Sequence, residues 1–156
     1  MHLKLIVPNK EIFKHYQKQF LDLLVEFYKR TKEKDGNPEK VLDLCQYMFM
    51  SDSGVWKLLF IINEDYNVVG YAICYLAENV FGNKTCMFLQ GYLQKKYNNQ
   101  DITRKTFEFV DSFAKQNECK NVTVLTSYVG KAGQVYEKWI KKYGYNKNST
   151  MFVKEV

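Results

Sequence analysis

LQGYLQKKYNNQDIT, residues Leu89–Thr103, is the stretch on which the fold turns. Its first part ends a β-favouring run, Thr85–Leu93, that reads as a strand. An Asn-rich turn follows, and then Ile102, Thr106, Phe109, Val110, Phe113 and Ala114 recur at helical spacing. Asp101 stands immediately before that apolar series and is predicted to cap the helix, since its carboxylate can accept from the orphan N–H groups of the first turn.

Upstream, Leu3–Val7 is expected to form a short strand closed by Pro8. Asn9 is a cap for a long helix whose core stripe is Ile12, Tyr16, Phe20, Leu23 and Phe27. Asp35-Gly36-Asn37-Pro38 marks a turn, with Asn37 as cap and Pro38 at the first helical position of a second helix. That helix gathers Val41, Leu44, Cys45, Met48 and Phe49 on one side. Two β-rich runs, Val55–Ile62 and Val68–Leu76, are joined by five polar residues, Asn63–Asn67, which is a hairpin signal. Downstream, Asn121–Ser127 reads as a strand, Ala132–Lys142 as a helix stopped by Gly144, and Thr150–Val153 as a last strand. The expected order is β-α-α-β-β-β-α-β-α-β. No repeat, low-complexity tract or linker interrupts it, so residues 1–156 are read as a single α/β domain with a mixed sheet.

Composition narrows the function classes. A chain of 156 residues buries roughly two-thirds of its unfolded surface. Its 12 Tyr and 11 Phe predict a core rich in large rings with polar tips. No apolar run approaches the roughly 18 residues of a membrane span, and the first residues lack a signal-peptide pattern, so an intracellular, cytoplasmic protein without membrane attachment is expected. The four cysteines are far apart and make no C-x-x-C pair, which points to reduced, buried thiols. With His2 and His15 the only histidines, no metal site is expected. A formal charge of +6 permits an anionic partner, but the lysines are dispersed over Lys29–Lys34, Lys95–Lys96 and Lys138–Lys142. No nucleic-acid motif accompanies them, and dedicated nucleic-acid binding is not expected.

The order of elements, a central meander followed by β-α-β-α-β, resembles the GNAT (Gcn5-related N-acetyltransferase) fold. Asn63–Tyr71, with its polar turn leading into Val69-Gly70, looks like the family's hairpin. Ala132-Gly133-Gln134-Val135-Tyr136-Glu137-Lys138, with Tyr143-Gly144-Tyr145 beyond it, is similar to the family's closing helix. The resemblance covers about Trp56 to Val156. It implies that acetyl-CoA lies between the fourth and fifth strands, with its pyrophosphate on N–H groups at the start of the following helix. By position, Leu93 would meet the pantetheine through its backbone. Asn98, Asp101, Ile102 and Thr103 fall within the family's pyrophosphate segment, and Tyr136 at the tyrosine that often protonates the departing thiolate.

Two glycines of that segment are absent. Asp101 stands where one lets the backbone approach the phosphates, and it brings a Cβ and a like charge. Lys95, Lys96, Arg104 and Lys105 flank the same helix start and are expected to compensate in part. Gln90 lies near a position where many family members carry a carboxylate and cannot take a proton at neutral pH. Glu78 and Asp65 are the other side chains considered as bases, each with an alternative reading as a solvated carboxylate. Tyr136 likewise has a packing alternative beside Val135, Trp139 and Ile140.

Two functions are compatible with these features. One is an acetyl-CoA-dependent N-acetyltransferase acting on a primary amine. The other is a catalytically degenerate scaffold that binds a protein partner or a second copy of itself. The Lys-, Asn-, Tyr- and Ile-rich composition suggests an AT-rich genome, and the resemblance, by analogy with compact GNAT-like proteins of bacteriophages, implies a virion-associated protein as one example.

Overall fold

Asn9 and Asn37 start the first two helices as expected in the computed structural model, which describes residues 2–31, 36–51, 54–78, 81–124, 137–147 and 154. The Asn9 side-chain oxygen accepts from the Ile12 N–H at 2.8 Å, and that of Asn37 from the Lys40 N–H at 3.1 Å. Helix α1 spans Lys10–Thr31 and α2 spans Pro38–Ser51. They follow a short strand β1, Lys4–Ile6. Strands β2 (Trp56–Ile62), β3 (Val68–Glu78) and β4 (Lys84–Leu93) form the meander. Helix α3, Gln100–Gln116, then leads to β5, Asn121–Val124. The sheet order is β1-β2-β3-β4-β5, antiparallel from β1 to β4 and parallel between β4 and β5.

Side-chain alternation explains why both faces of the sheet are covered. Leu58, Phe60, Ile62, Val68, Tyr71 and Ile73 pack under Phe13, Phe20 and Leu24 of α1 and Cys45 of α2. Leu59, Ala72, Cys74, Cys86 and Phe88 pack on Val110 and Phe113 of α3. The helices shift slightly from their expected faces. Phe13 is buried while Ile12 is half-buried, Phe107 takes the core place predicted for Phe109, and Leu44 is exposed.

The β2–β3 turn is held by Asn63, whose side-chain oxygen accepts from the N–H groups of Asp65 (3.1 Å) and Asn67 (2.9 Å), an Asx arrangement. Cys45, Cys74 and Cys86 are buried, Cys119 is half-buried, and all four are free thiols. Burial pushes Cys45 up to about 12, so it is an inert core residue. Among the described residues no group of His, Cys, Asp or Glu could hold a metal ion, and no helix is long and apolar enough to cross a membrane.

Residues 1–125 form one compact unit containing all these elements, and residues 126–156 form a second. In the second, residues 137–141 are helical and Gly144 ends the turn at φ 87°, its N–H donating to the Lys141 carbonyl at 3.1 Å. Residues 125–127 of the predicted strand, 132–136 of the predicted helix and the predicted strand Thr150–Val153 lie outside the described residues.

Candidate functional site at the end of β4

Strand β4 changes face partway along. Ile73 of β3 pairs with Gln90 and Cys74 with Phe88, which leaves Leu89 as an extra residue in β4. Such a bulge interrupts the alternation and re-aims the side chains beyond it. Cys86 and Phe88 face α3, and a continuous strand would send Gln90 and Tyr92 the same way. Instead Tyr92 packs on the α1–α2 side, as Leu89 does, while Leu93 joins Leu3, Ile61, Val69 and Ile102 on the α3 side.

Beyond the bulge the Gln94 N–H donates to the Val69 carbonyl at 3.0 Å. Backbone groups alternate between the two edges of a strand, so those of Leu93 point away from β3. This edge is where the resemblance places the pantetheine. Close approach of β3 to it depends on Gly70, where an added Cβ would lie 2.7 Å from the Tyr92 carbonyl oxygen.

A single 3-10 turn, Lys95–Tyr97, joins β4 to α3. The Tyr97 hydroxyl accepts from the Asn63 side-chain amide at 3.0 Å, tying this turn to the β2–β3 hairpin. Asn98 is exposed, and its N–H donates to the Lys95 carbonyl at 3.1 Å. The cap of α3 is Asn99 rather than Asp101: the Asn99 side chain accepts from the Asp101 N–H at 2.8 Å. Both residue types cap well, and the extra turn starts the helix one residue upstream of Asp101. Ile102 is 2 % exposed and sends its side chain into the core, so only its backbone could meet a ligand. The Thr103 hydroxyl donates to the Asn99 carbonyl at 3.0 Å. Gln100 and Ile102 occupy first-turn positions whose N–H groups have no intrahelical partner.

Charge at this helix start is arranged differently from expectation. Asp101 pairs with Arg104 at 2.7 Å and Lys105 at 2.9 Å, and Arg104 also pairs with Glu108. Two of the four cations expected to compensate for the missing glycines are therefore committed to carboxylates. Lys105 and then Arg104 hold the Asp101 carboxyl below its ordinary range. Lys96 lies over the Tyr97 ring at 4.8 Å.

A second group of polar side chains meets the bulged strand from α1. Tyr71 donates to the Gln90 side-chain oxygen at 3.0 Å, and the Gln90 amide nitrogen donates to the Tyr28 hydroxyl at 3.4 Å. Glu26 accepts from the Gln94 side-chain amide at 3.1 Å and from Arg30 at 3.4 Å. The Arg30 guanidinium lies over the Tyr92 ring at 5.4 Å. Glu26 escaped sequence reasoning because it is 68 residues from Gln94, and no local pattern links them. Of the two carboxylates considered as bases, Glu78 stands opposite Lys84 at the far end of β3 from Gly70 and Leu93, and Asp65 is exposed in the hairpin turn. Tyr136 lies outside the described residues.

An antiparallel meander with a parallel β5, two helices on one face and a third on the other is the arrangement the GNAT resemblance implies, and the chain has the GNAT acetyltransferase fold. Solved structures of that fold align along its whole length. Glucosamine-6-phosphate N-acetyltransferase from Arabidopsis thaliana superposes with a TM-score of 0.74 at 14% identity, covering 99% of both chains. The aminoglycoside enzyme AAC(6')-Iy, in complex with a CoA-S-monomethyl-acetylneamine bisubstrate analog, gives 0.72 at 10% identity over 100% of this chain and 99% of its own. Ribosomal-protein-alanine N-acetyltransferase from Brucella melitensis biovar Abortus 2308 gives 0.68 at 12% identity over 99% and 100%. No family model matches the sequence, and no curated protein matches it.

Proposed function

We propose that the chain is an acetyl-CoA-dependent N-acetyltransferase whose acceptor is a primary amine. The observation that carries this reading is the end of β4: a bulged strand whose Leu93 backbone points away from β3 and leads through one turn into a helix start. The residues fit the cofactor. Leu93 can hold the pantetheine amides, and the N–H groups of Gln100 and Ile102 can donate to a phosphate oxygen, with Lys95 and Lys96 nearby in sequence. Asn98 and Thr103 shape that turn, and Asp101 opposes an anion there. Bound in this way, acetyl-CoA supplies the activated acyl group. Tyr136 is proposed to hold the proton that the thiolate takes on leaving. Gln90, bonded to Tyr71 and Tyr28, orients rather than deprotonates, because an amide has no proton-accepting form at neutral pH.

The decisive experiment is thermal unfolding with acetyl-CoA and, as a control, AMP. At about 100 times Kd the cofactor should add about 2.7 kcal/mol, a rise of roughly 5–10 °C for a domain of this size. The same rise with AMP, or none at millimolar acetyl-CoA, overturns the reading. Once an acceptor is in hand, Tyr136→Phe should lower kcat and leave the KM for acetyl-CoA in place. Unchanged kcat would remove the acid role from Tyr136.

One arrangement favours the degenerate-scaffold reading. Asn99 already caps the Asp101 N–H, and Asp101 holds Arg104 and Lys105, so the helix start is partly satisfied from within. The protein would then use its fold for a macromolecular partner, in a virion or elsewhere, and would show no acetyl-CoA shift.

A further inference from the structure

We propose that Glu26 and the face of Tyr92 form a cation site beside the end of β4, that Arg30 occupies it in the resting protein, and that the acceptor's primary ammonium displaces Arg30. The inference rests on the acetyltransferase reading for its function, but the site stands on its own geometry. A carboxylate beside an aromatic face is the pair of groups that attracts an ammonium. Here the carboxylate is Glu26, which accepts from the side-chain amide of Gln94, the residue after Leu93, and the ring is Tyr92, two residues before Gln94. The ring is held between two others: a T-shaped contact with Phe27 at 6.1 Å and a tilted one with Tyr71 at 6.3 Å between centroids.

A cation is already seated on these two groups. The Arg30 guanidinium lies 5.4 Å from the Tyr92 centroid and 3.4 Å from the Glu26 carboxylate. Both partners of that ion pair are open to solvent, at 47% and 36% side-chain exposure. Exposed pairs one helical turn apart hold weakly, so a competing cation can replace Arg30 without unfolding anything. Its flexible stem and charged head also describe the ligand that fits: a primary ammonium on an aliphatic chain, as in a lysyl side chain or a polyamine. Gln94 keeps the carboxylate against β4 while the cations exchange.

The test is an NMR titration of the full chain, following the Gln94 side-chain amide and the Tyr92 ring, with n-pentylamine as probe and pentanol as its uncharged control. Pentylamine should move both signals and pentanol should not. Glu26→Gln should weaken pentylamine about fivefold to tenfold, and Arg30→Gln should tighten it by removing the competitor. Arms with Nα-acetyl-lysinamide and spermidine distinguish the two sources, the tighter ligand under Glu26 control naming the class. If pentylamine moves neither signal, or binds Glu26→Gln as it binds the native chain, the site is wrong. The same samples are scanned thermally with acetyl-CoA, so the two ideas fail separately. Glu26-dependent amine binding without an acetyl-CoA shift keeps the cation site and removes its role in acetyl transfer. An acetyl-CoA shift with Glu26-independent amine binding does the reverse.

Discussion

Gly70→Ala is expected to destabilise the protein by about 1–3 kcal/mol and to weaken the acetyl-CoA response, although it adds one methyl group. The new Cβ would stand 2.7 Å from the Tyr92 carbonyl oxygen and 3.0 Å from the Cδ1 atoms of Ile61 and Leu93. The first of these is backbone in the neighbouring strand, so relief requires β3 and β4 to separate where Gly70 pairs with Leu93. The restriction alanine places on the unfolded chain offsets only about 0.4–1 kcal/mol. Gly91→Ala makes an internal comparison. Its Cβ would meet the tip of the Phe88 ring at 2.7 Å, a side chain that can give, so its cost should be smaller. Urea unfolding of both variants checks the order. A Gly70→Ala protein of native stability would mean that β3 does not constrain the Leu93 edge.

Much of this architecture is legible in the sequence because local chemistry and tertiary packing agree. Asn9 and Asn37 cap where the apolar stripes begin, Asn63 organises a turn between two β-rich runs, and Gly144 supplies the left-handed stop. The site is less legible for a physical reason. Cys86, Phe88, Gln90 and Tyr92 alternate without a break, so nothing in β4 announces an extra residue; pairing with β3 creates the bulge at Leu89. Asn99 and Asp101 are comparable caps, and the 3-10 turn at Lys95–Tyr97 decides between them by setting where the helix can begin. Glu26 and Arg30 lie one turn apart on α1, and only the fold brings Tyr92 and Gln94 against them.

The absent glycines have a consequence that charge, more than space, governs. Asp101→Asn is expected to raise acetyl-CoA affinity about tenfold at low ionic strength. The Asp101 carboxylate now binds Arg104 and Lys105. Removing its charge takes a repulsive group from the helix start and releases Lys105 toward a phosphate there, while Arg104 keeps Glu108. The Asn99 side-chain oxygen still accepts from the backbone N–H of residue 101, so α3 begins as before. Acidification is a poorer substitute for the mutation, because Lys105 and Arg104 lower the carboxyl's pKa and so oppose its protonation. The gain should shrink as salt is added, since exposed charges are screened over about 8–10 Å, and should be reduced in Asp101→Asn/Lys105→Gln. Isothermal titration at two salt concentrations measures both. Equal affinity in native and Asp101→Asn proteins would place the pyrophosphate away from the α3 start. No heat from either, even at millimolar acetyl-CoA, would mean that the self-filled helix start is the functional state and that this fold serves as a scaffold.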